Sequence, residues 1–207
     1  MKEIKFNIQS EIPVMEYFYT LQGEGFHVGK PAFFIRLAGC TVGCVWCDVK
    51  ESWEVSPKQL VTIQSLVDSV VTSGTNFVVI TGGEPAMYNL SYLIQALNQK
   101  NIYCAIETSG VFELTGAVDW YCFSPKKFKN PCSEAYQKAN ELKVVVFHKS
   151  DLNWAQEHAE KVNENCLLYL QPEWSKREEL IPLIIDFIKQ NPSWRLSLQT
   201  HKYINIP

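Results

Sequence analysis

Ala32-Phe33-Phe34-Ile35-Arg36-Leu37-Ala38-Gly39-Cys40-Thr41-Val42-Gly43-Cys44-Val45-Trp46-Cys47 is an apolar, β-prone run that passes directly into a loop carrying three cysteines. A strand that ends in chemistry-bearing residues points to an α/β fold, where sites collect at the C-terminal ends of parallel strands. The pattern repeats outward from this stretch. Phe77-Thr81 ends in Gly82-Gly83-Glu84-Pro85, Ile102-Glu107 in Glu107-Thr108-Ser109-Gly110, and Trp120-Ser124 in Ser124-Pro125-Lys126. With Lys143-Phe147, Leu167-Gln171 and Trp194-Leu198 these make about seven strands by the alternation of strand-like and helix-like segments.

Between the strands, Leu66, Val67, Val70 and Val71 form one apolar helical stripe and Leu90, Leu93, Ile94 and Leu97 another. Ser175 with Glu178 reads as a capping box ahead of Leu180, Leu183, Ile184, Phe187 and Ile188, and this helix is expected to end before Asn191-Pro192. Lys126-Lys127-Phe128-Lys129-Asn130-Pro131 lacks a helical stripe where a complete barrel would need one, so it reads as loop. The expectation is one α/β domain over 1–207, a partial, laterally open β/α barrel with a mostly parallel sheet.

Cys40, Cys44 and Cys47 have no fourth cysteine nearby. A closed structural metal site takes four protein ligands, whereas a reactive centre keeps a position open. Three thiolates on a loop loosened by Gly39 and Gly43 suit a 4Fe-4S cluster with one exposed iron. The two glycines at 82 and 83 permit close backbone approach to a ligand, and Glu84 suits an ammonium group. Seven cysteines, an odd number, favour reduced thiols over a disulfide framework. Cys104, Cys122, Cys132 and Cys166 read as packing or surface thiols.

The 207 residues are 46% hydrophobic with a net charge of −3, enough for a substantial core and without a basic field to recruit nucleic acid. A small-molecule substrate is the expected partner. Met1-Lys2-Glu3-Ile4-Lys5-Phe6 lacks the apolar centre of a signal peptide, and no apolar run of about 18 residues could cross a bilayer. Residence in the cytoplasm, without a membrane, is expected.

The Cys-x-x-x-Cys-x-x-Cys loop followed by Gly-Gly-Glu-Pro resembles the radical S-adenosylmethionine superfamily. Within it, Leu21-Gln22-Gly23-Glu24-Gly25, Glu107-Thr108 and Ser124-Pro125-Lys126 resemble the 7-carboxy-7-deazaguanine synthase family, from about Tyr17 to the C-terminus. The resemblance implies a radical S-adenosylmethionine partial barrel and an enzyme that converts 6-carboxy-5,6,7,8-tetrahydropterin to 7-carboxy-7-deazaguanine with loss of ammonia, in queuosine biosynthesis. It implies cluster ligation by Cys40, Cys44 and Cys47, and S-adenosylmethionine contacts from Trp46, Cys47, Asp48, Gly83, Glu84, Ser124, Pro125, Lys126 and Gln171. For the substrate it implies Leu21, Gln22, Gly23 and Glu24, Thr81, Arg36 as carboxylate receptor, and Pro207 on a tail folded into the site. A homodimer and a reductant protein such as a flavodoxin or ferredoxin are also implied.

One position departs from that family. The residue after Cys47-Asp48 is Val49, where members commonly carry a threonine that helps hold Mg2+, so a magnesium requirement is in doubt here, or is met by waters, the substrate and Asp48. Competing readings stay open. Another radical S-adenosylmethionine enzyme, such as a glycyl-radical activase, would keep the cysteine loop but not need Gln22 to Glu24. A non-catalytic metal-binding interaction module would use the same thiols, with His27 completing a zinc site. Arg36 could pair with a structural carboxylate, and Glu107 could brace the core. His148 and His158 read as surface residues, while His201 is a candidate for the wall of the site.

Overall fold

All seven runs read as strands are strands, and together they are the parallel part of a sheet. The computed structural model describes residues 10–207, so the Met1 to Phe6 segment lies outside the described residues. In chain order the elements are β1 (Glu11–Leu21), β2 (Pro31–Leu37), β3 (Leu60–Thr62), α1 (Ile63–Ser73), β4 (Phe77–Gly82), α2 (Ser91–Asn98), β5 (Tyr103–Thr108) and β6 (Trp120–Phe123). They continue with α3 (Ser133–Lys138), β7 (Glu141–Val146), α4 (Asp151–Ala159), β8 (Leu167–Pro172), α5 (Arg177–Gln190), β9 (Trp194–Leu196) and α6 (Thr200–Ile204). The sheet runs β3-β1-β2-β4-β5-β6-β7-β8-β9, and its two ends do not pair, which is the expected lateral opening.

From β2 onward every pairing is parallel, whereas β1 lies antiparallel to both β2 and β3. Those two antiparallel strands are the ones the sequence reading missed. Strand β1 contains Pro13, which argues against a strand, and its register slips between Val14 and Glu16. The reading also put β7 at 143–147; it begins two residues earlier, at Glu141.

Side chains alternate across each strand, and that parity sorts the molecule. One face, with Phe33, Ile35 and Leu37 of β2, Val78 and Ile80 of β4, Ile106 of β5 and Leu142 and Val144 of β7, packs under the helices in the main core. Parallel strands covered in this way are apolar along their length. The opposite face is apolar at the N-terminal ends, where Ala32, Phe77, Val79 and Ala105 form a second small cluster with Phe34, Tyr103 and Trp120. Towards the C-terminal ends the same face turns polar, with Arg36, Thr81, Glu107, Ser124, Lys143 and Gln171. One end of the half-barrel is thus plugged and the other is lined for a polar ligand.

The helices close the outer layer. Helix α1 starts at Thr62, whose hydroxyl accepts from the Ser65 N–H, and stops at Gly74 in the left-handed conformation, the usual pair of signals. Leu66, Val67 and Val70 are buried, each contributing about 1.5–3 kcal/mol. Val71, expected on that stripe, is instead 52% exposed, because it falls one position past the face that meets the sheet. All four residues of the α2 stripe are buried. Helix α5 ends at Gln190 as expected, but no capping box forms. Ser175 lies in a short turn before the helix and donates to Glu173, while Glu178 pairs with Arg177. Residues 126–131 are loop, with one bridge between Lys126 and Lys129.

Candidate active site

The polar ends of the strands enclose a cavity of about 260 Å3, and nearly every residue singled out from the sequence lines it. Leu21 enters from the end of β1, Gln22, Gly23 and Glu24 from the loop after it, Arg36 from β2, Thr81 from β4, Ser124 and Lys126 from the segment after β6, and Gln171 from β8. Gly83 and Glu84 come from the turn after β4, Pro207 from the tail, and Cys40, Cys44, Trp46, Cys47 and Asp48 from the cysteine loop. Pro125 is buried and is not part of the wall.

The cysteine loop takes its shape from positive φ at Gly39 (97°) and Gly43 (79°). It is held by backbone bonds from Gly39 N to Ser52 O at 2.6 Å and from Cys40 N to Trp53 O at 3.3 Å. Gly83 packs against it so closely that a Cβ there would sit 2.2 Å from Gly39 O and 2.9 Å from Cys40 Cβ. All seven cysteines are free thiols. Burial pushes the Cys44 thiol up to about 11, against the nearby Lys126 charge, so the proton is held until a metal displaces it. Three soft thiols on one loop, all facing one cavity, fit an iron–sulfur cluster with a side left open to a ligand. His27 does not join them. Its ring sits among Phe26, Phe77, Tyr103 and Trp120, with centroids 4.8–5.7 Å apart, which removes it as a fourth zinc ligand.

Glu84 is almost wholly buried, and its carboxylate accepts from Ala86 N at 3.1 Å, Thr108 Oγ1 at 2.5 Å, Ser109 N at 2.9 Å and the Ser109 hydroxyl. It therefore ties the end of β4 to the end of β5. Lys126 Nζ donates to Ser124 Oγ at 2.6 Å and lies 5.4 Å from the Trp46 ring centroid, joining the Ser-Pro-Lys segment to the cysteine loop. Gln171 Oε1 accepts from Ser197 Oγ at 2.8 Å.

The opposite wall is charged. Arg36 meets Glu16 through Nε at 2.7 Å, so the structural pairing weighed from the sequence does occur. Among the described residues its two terminal nitrogens have no protein partner, which leaves a fork at the cavity for a carboxylate. Lys143 reaches Glu24 Oε2 at 2.5 Å and Glu107 Oε2 at 3.3 Å. Gln22 donates to Glu107 Oε1 and Gln199 to Glu24 Oε1, both at 3.0 Å. Burial works to raise the Glu24 pKa, but Lys143 outweighs it and, with His201 and Gln199, holds the carboxyl at about 2. Burial likewise opposes the charge on Lys143, and the surrounding acids Glu107, Glu24 and Glu141 hold it well above its ordinary value.

The C-terminal segment folds over this wall. Thr200 N donates to Gly23 O at 2.9 Å, Lys202 pairs with Asp48 at 2.8 Å, Tyr203 packs edge-on against Trp174, and Pro207 O accepts from Thr20 Oγ1 at 3.4 Å. His201 lines the cavity as the sequence suggested, and His148 is exposed. His158 overturns its expectation. It is only 6% exposed, stacks on Tyr136 and bonds the Tyr136 hydroxyl at 2.9 Å. Lys143, Gln199 and Trp174 are wall residues the sequence reading missed.

Beside Asp48 the side chains are a poor fit for a magnesium ion. Val49 brings no side-chain oxygen to the wall, and the Asp48 carboxylate already holds the Lys202 ammonium, so waters and substrate would have to supply most of a near-octahedral oxygen set.

The family model described as the Radical SAM superfamily matches residues 34–143, from within β2 to the Lys143 position on β7. A parallel half-barrel with a three-cysteine loop at its polar end is thus a radical S-adenosylmethionine domain. The chain is 50% identical to a 7-carboxy-7-deazaguanine synthase of Flavobacterium psychrophilum, covering 100% of this chain and 99% of that one. It is 45% identical to the Synechocystis synthase, over 94% of this chain and 93% of the other. A crystal structure of QueE from Escherichia coli superimposes with a TM-score of 0.84 at 33% identity, covering 92% of this chain and 95% of that one. This chain belongs to the 7-carboxy-7-deazaguanine synthase family.

Proposed function

We propose that this protein is a radical S-adenosylmethionine enzyme that converts 6-carboxy-5,6,7,8-tetrahydropterin to 7-carboxy-7-deazaguanine with release of ammonia, a step of queuosine and related 7-deazapurine formation. The observation that carries this reading is the shared cavity, in which three free thiols of one loop face a guanidinium fork and a pair of carboxylates. When bound, the 4Fe-4S cluster and S-adenosylmethionine supply the radical chemistry. The chain's own residues bind, orient and exclude water.

Cys40, Cys44 and Cys47 would hold the cluster. Ser124, Lys126, Gln171, Trp46 and Asp48 would hold S-adenosylmethionine, with Gly83 supplying backbone at close range and Glu84 bracing the turn that presents it. Pro125 acts only by fixing the backbone between Ser124 and Lys126. The Arg36 fork would take the substrate carboxylate. Gln22, Gly23, Glu24, Thr81 and Leu21 would meet the pterin edge and face, and Pro207 would close the pocket from the tail. Turnover would need little Mg2+.

We place the reaction in a single domain, in the cytoplasm and in a homodimer, with a flavodoxin-like or ferredoxin-like protein delivering electrons near Val45, which is 67% exposed on the cysteine loop. Among the described residues no helix is long and apolar enough to cross a membrane. Anaerobic reconstitution, reduction and assay for 5′-deoxyadenosine and 7-carboxy-7-deazaguanine test the reading. Both products are expected. Cleavage of S-adenosylmethionine without deazaguanine would keep the superfamily and overturn the substrate.

A further inference from the structure

Lys143 is the feature of the cavity that no motif announced. Its side chain is 4% exposed, against 14% for Glu24 and 23% for Glu107, and it stands on β7 between a carboxylate from the loop after β1 and another from β5. Two anions so close in a shielded pocket would not both stay ionised without a cation, and a buried ammonium would not keep its proton without anions. Each carboxylate has a second constraint, because Gln22 and Gln199 hold the outer oxygens of Glu107 and Glu24. Further out, Glu141 is occupied by Phe26 N and Trp120 Nε1, so it does not compete for Lys143 by hydrogen bond.

We propose that Lys143 is a positioning residue that locks Glu24 and Glu107 into an ionised two-carboxylate receptor, and thereby selects a flat heterocycle presenting adjacent N–H donors, as the 2-amino-4-oxopyrimidine edge of a pterin does. This rests on the pterin reading above. The trio carries one net negative charge, which suits a neutral donor edge. Without Lys143 the pair of carboxylates would share a proton, and one of them would offer a donor where the ligand also offers one. Arg36 lies on another strand and deals with the charged, carboxylate end of the ligand, so edge and carboxylate are read by separate groups.

The groups that face the trio are Glu141 and Cys122 from the neighbouring strands, Lys126 from the end of β6, and Asp48 and His201 from the two segments that flank Glu24. Burial keeps Cys122 protonated and His201 neutral. Neither changes charge in the alkaline half of the range used below.

The test measures binding of 6-carboxy-5,6,7,8-tetrahydropterin to unreduced, cluster-loaded enzyme with S-adenosylmethionine, as the ratio of variant to native Kd, which cancels the ligand's own titration. For Lys143→Met the ratio should be roughly thirtyfold at about pH 6.5 and shrink several-fold by about pH 8.5, as the second carboxylate ionises. Lys143→Arg, which keeps the charge, should stay within about fivefold at every pH. Lys143→Met combined with Glu107→Gln leaves Glu24 with no second carboxylate to share a proton with, so it should bind within about threefold of Glu107→Gln alone, with a flat ratio. That last comparison also carries the test if Lys143→Met fails to fold. A flat, additive loss in which Lys143→Met costs the same with and without Glu107 would overturn the proposal and make Lys143 a packing residue. Failure of the native enzyme to bind the carboxypterin would overturn the pterin reading itself, a separate result.

Discussion

Gly83 shows how little room the site leaves. The Cβ of an alanine there would meet main-chain Gly39 O at 2.2 Å, and a carbonyl cannot step aside as a long side chain can. Gly83→Ala should cost about 2 kcal/mol of stability and displace the cysteine loop. Iron content and cluster absorbance after reconstitution should fall sharply, and full iron loading would show that the loop tolerates the shift. Val49 and Lys202 make a second prediction. With no side-chain oxygen at Val49 and an ammonium on Asp48, stripping divalent metal should change turnover by less than about twofold. A steep loss restored by Mg2+ would sink that expectation. At this scale much was legible, because the residues of the cysteine loop, the Gly-Gly-Glu-Pro turn and the Gln-Gly-Glu segment owe their placement to strand ends. Lys143 was not. A lysine taken as the first residue of a strand looks solvated, and only the true start at Glu141 shows that Glu141, Lys143 and Val145 share the inward parity.

Among elements, the parallel strands and the helices α1, α2 and α5 were readable, whereas the two antiparallel strands and the helices α3, α4 and α6 were not. Strand β1 hides behind Pro13 and a register slip, and α3 and α6, of six and five residues, are too short to show a stripe. Helix α6 is held by the partners it finds rather than by its own propensity. Gln199, Thr200 and Lys202 tie it to Glu24, Gly23 and Asp48, so it bridges the substrate-side loop and the cysteine loop. Asp48 is 60% exposed, and a surface pair of this kind contributes about 0–1 kcal/mol. Lys202→Ala should therefore leave thermal stability nearly unchanged while raising the substrate KM a few-fold, by about two- to fivefold, through a looser strap. Removing Pro207 acts on the cavity wall directly and should weaken carboxypterin binding about tenfold, measured as Kd. Unchanged affinity would place the tail outside the binding site.

The molecule as a whole couples its stability to pH through groups buried in one protonation state. His27 and His158 are both held down to about 4, first by burial and then by Lys30 and Lys161 respectively, against an ordinary value of 6.5. A histidine whose folded pKa is depressed contributes stability that is complete above 6.5 and is lost as pH falls towards 4, because the unfolded chain takes up the proton first. Glu24 acts in a lower window, where its contribution is complete above 4.5 and disappears as pH falls towards 2. Thermal unfolding followed across a pH series should therefore show the midpoint falling first between 6.5 and 4, then again below 4.5. His158→Phe separates the first phase from the second. It removes the 2.9 Å bond to the Tyr136 hydroxyl and so lowers the midpoint at neutral pH by a few degrees, about 1 kcal/mol. It also removes one titrating group, so the descent between 6.5 and 4 should become shallower while the acid limb, set by Glu24 together with Asp48 and Asp151, stays where it was. An unchanged slope in His158→Phe would assign the first phase to His27 and His201, whose pKa burial also depresses, and replacement of His27 by phenylalanine, among Phe26, Phe77, Tyr103 and Trp120, should then make it shallower.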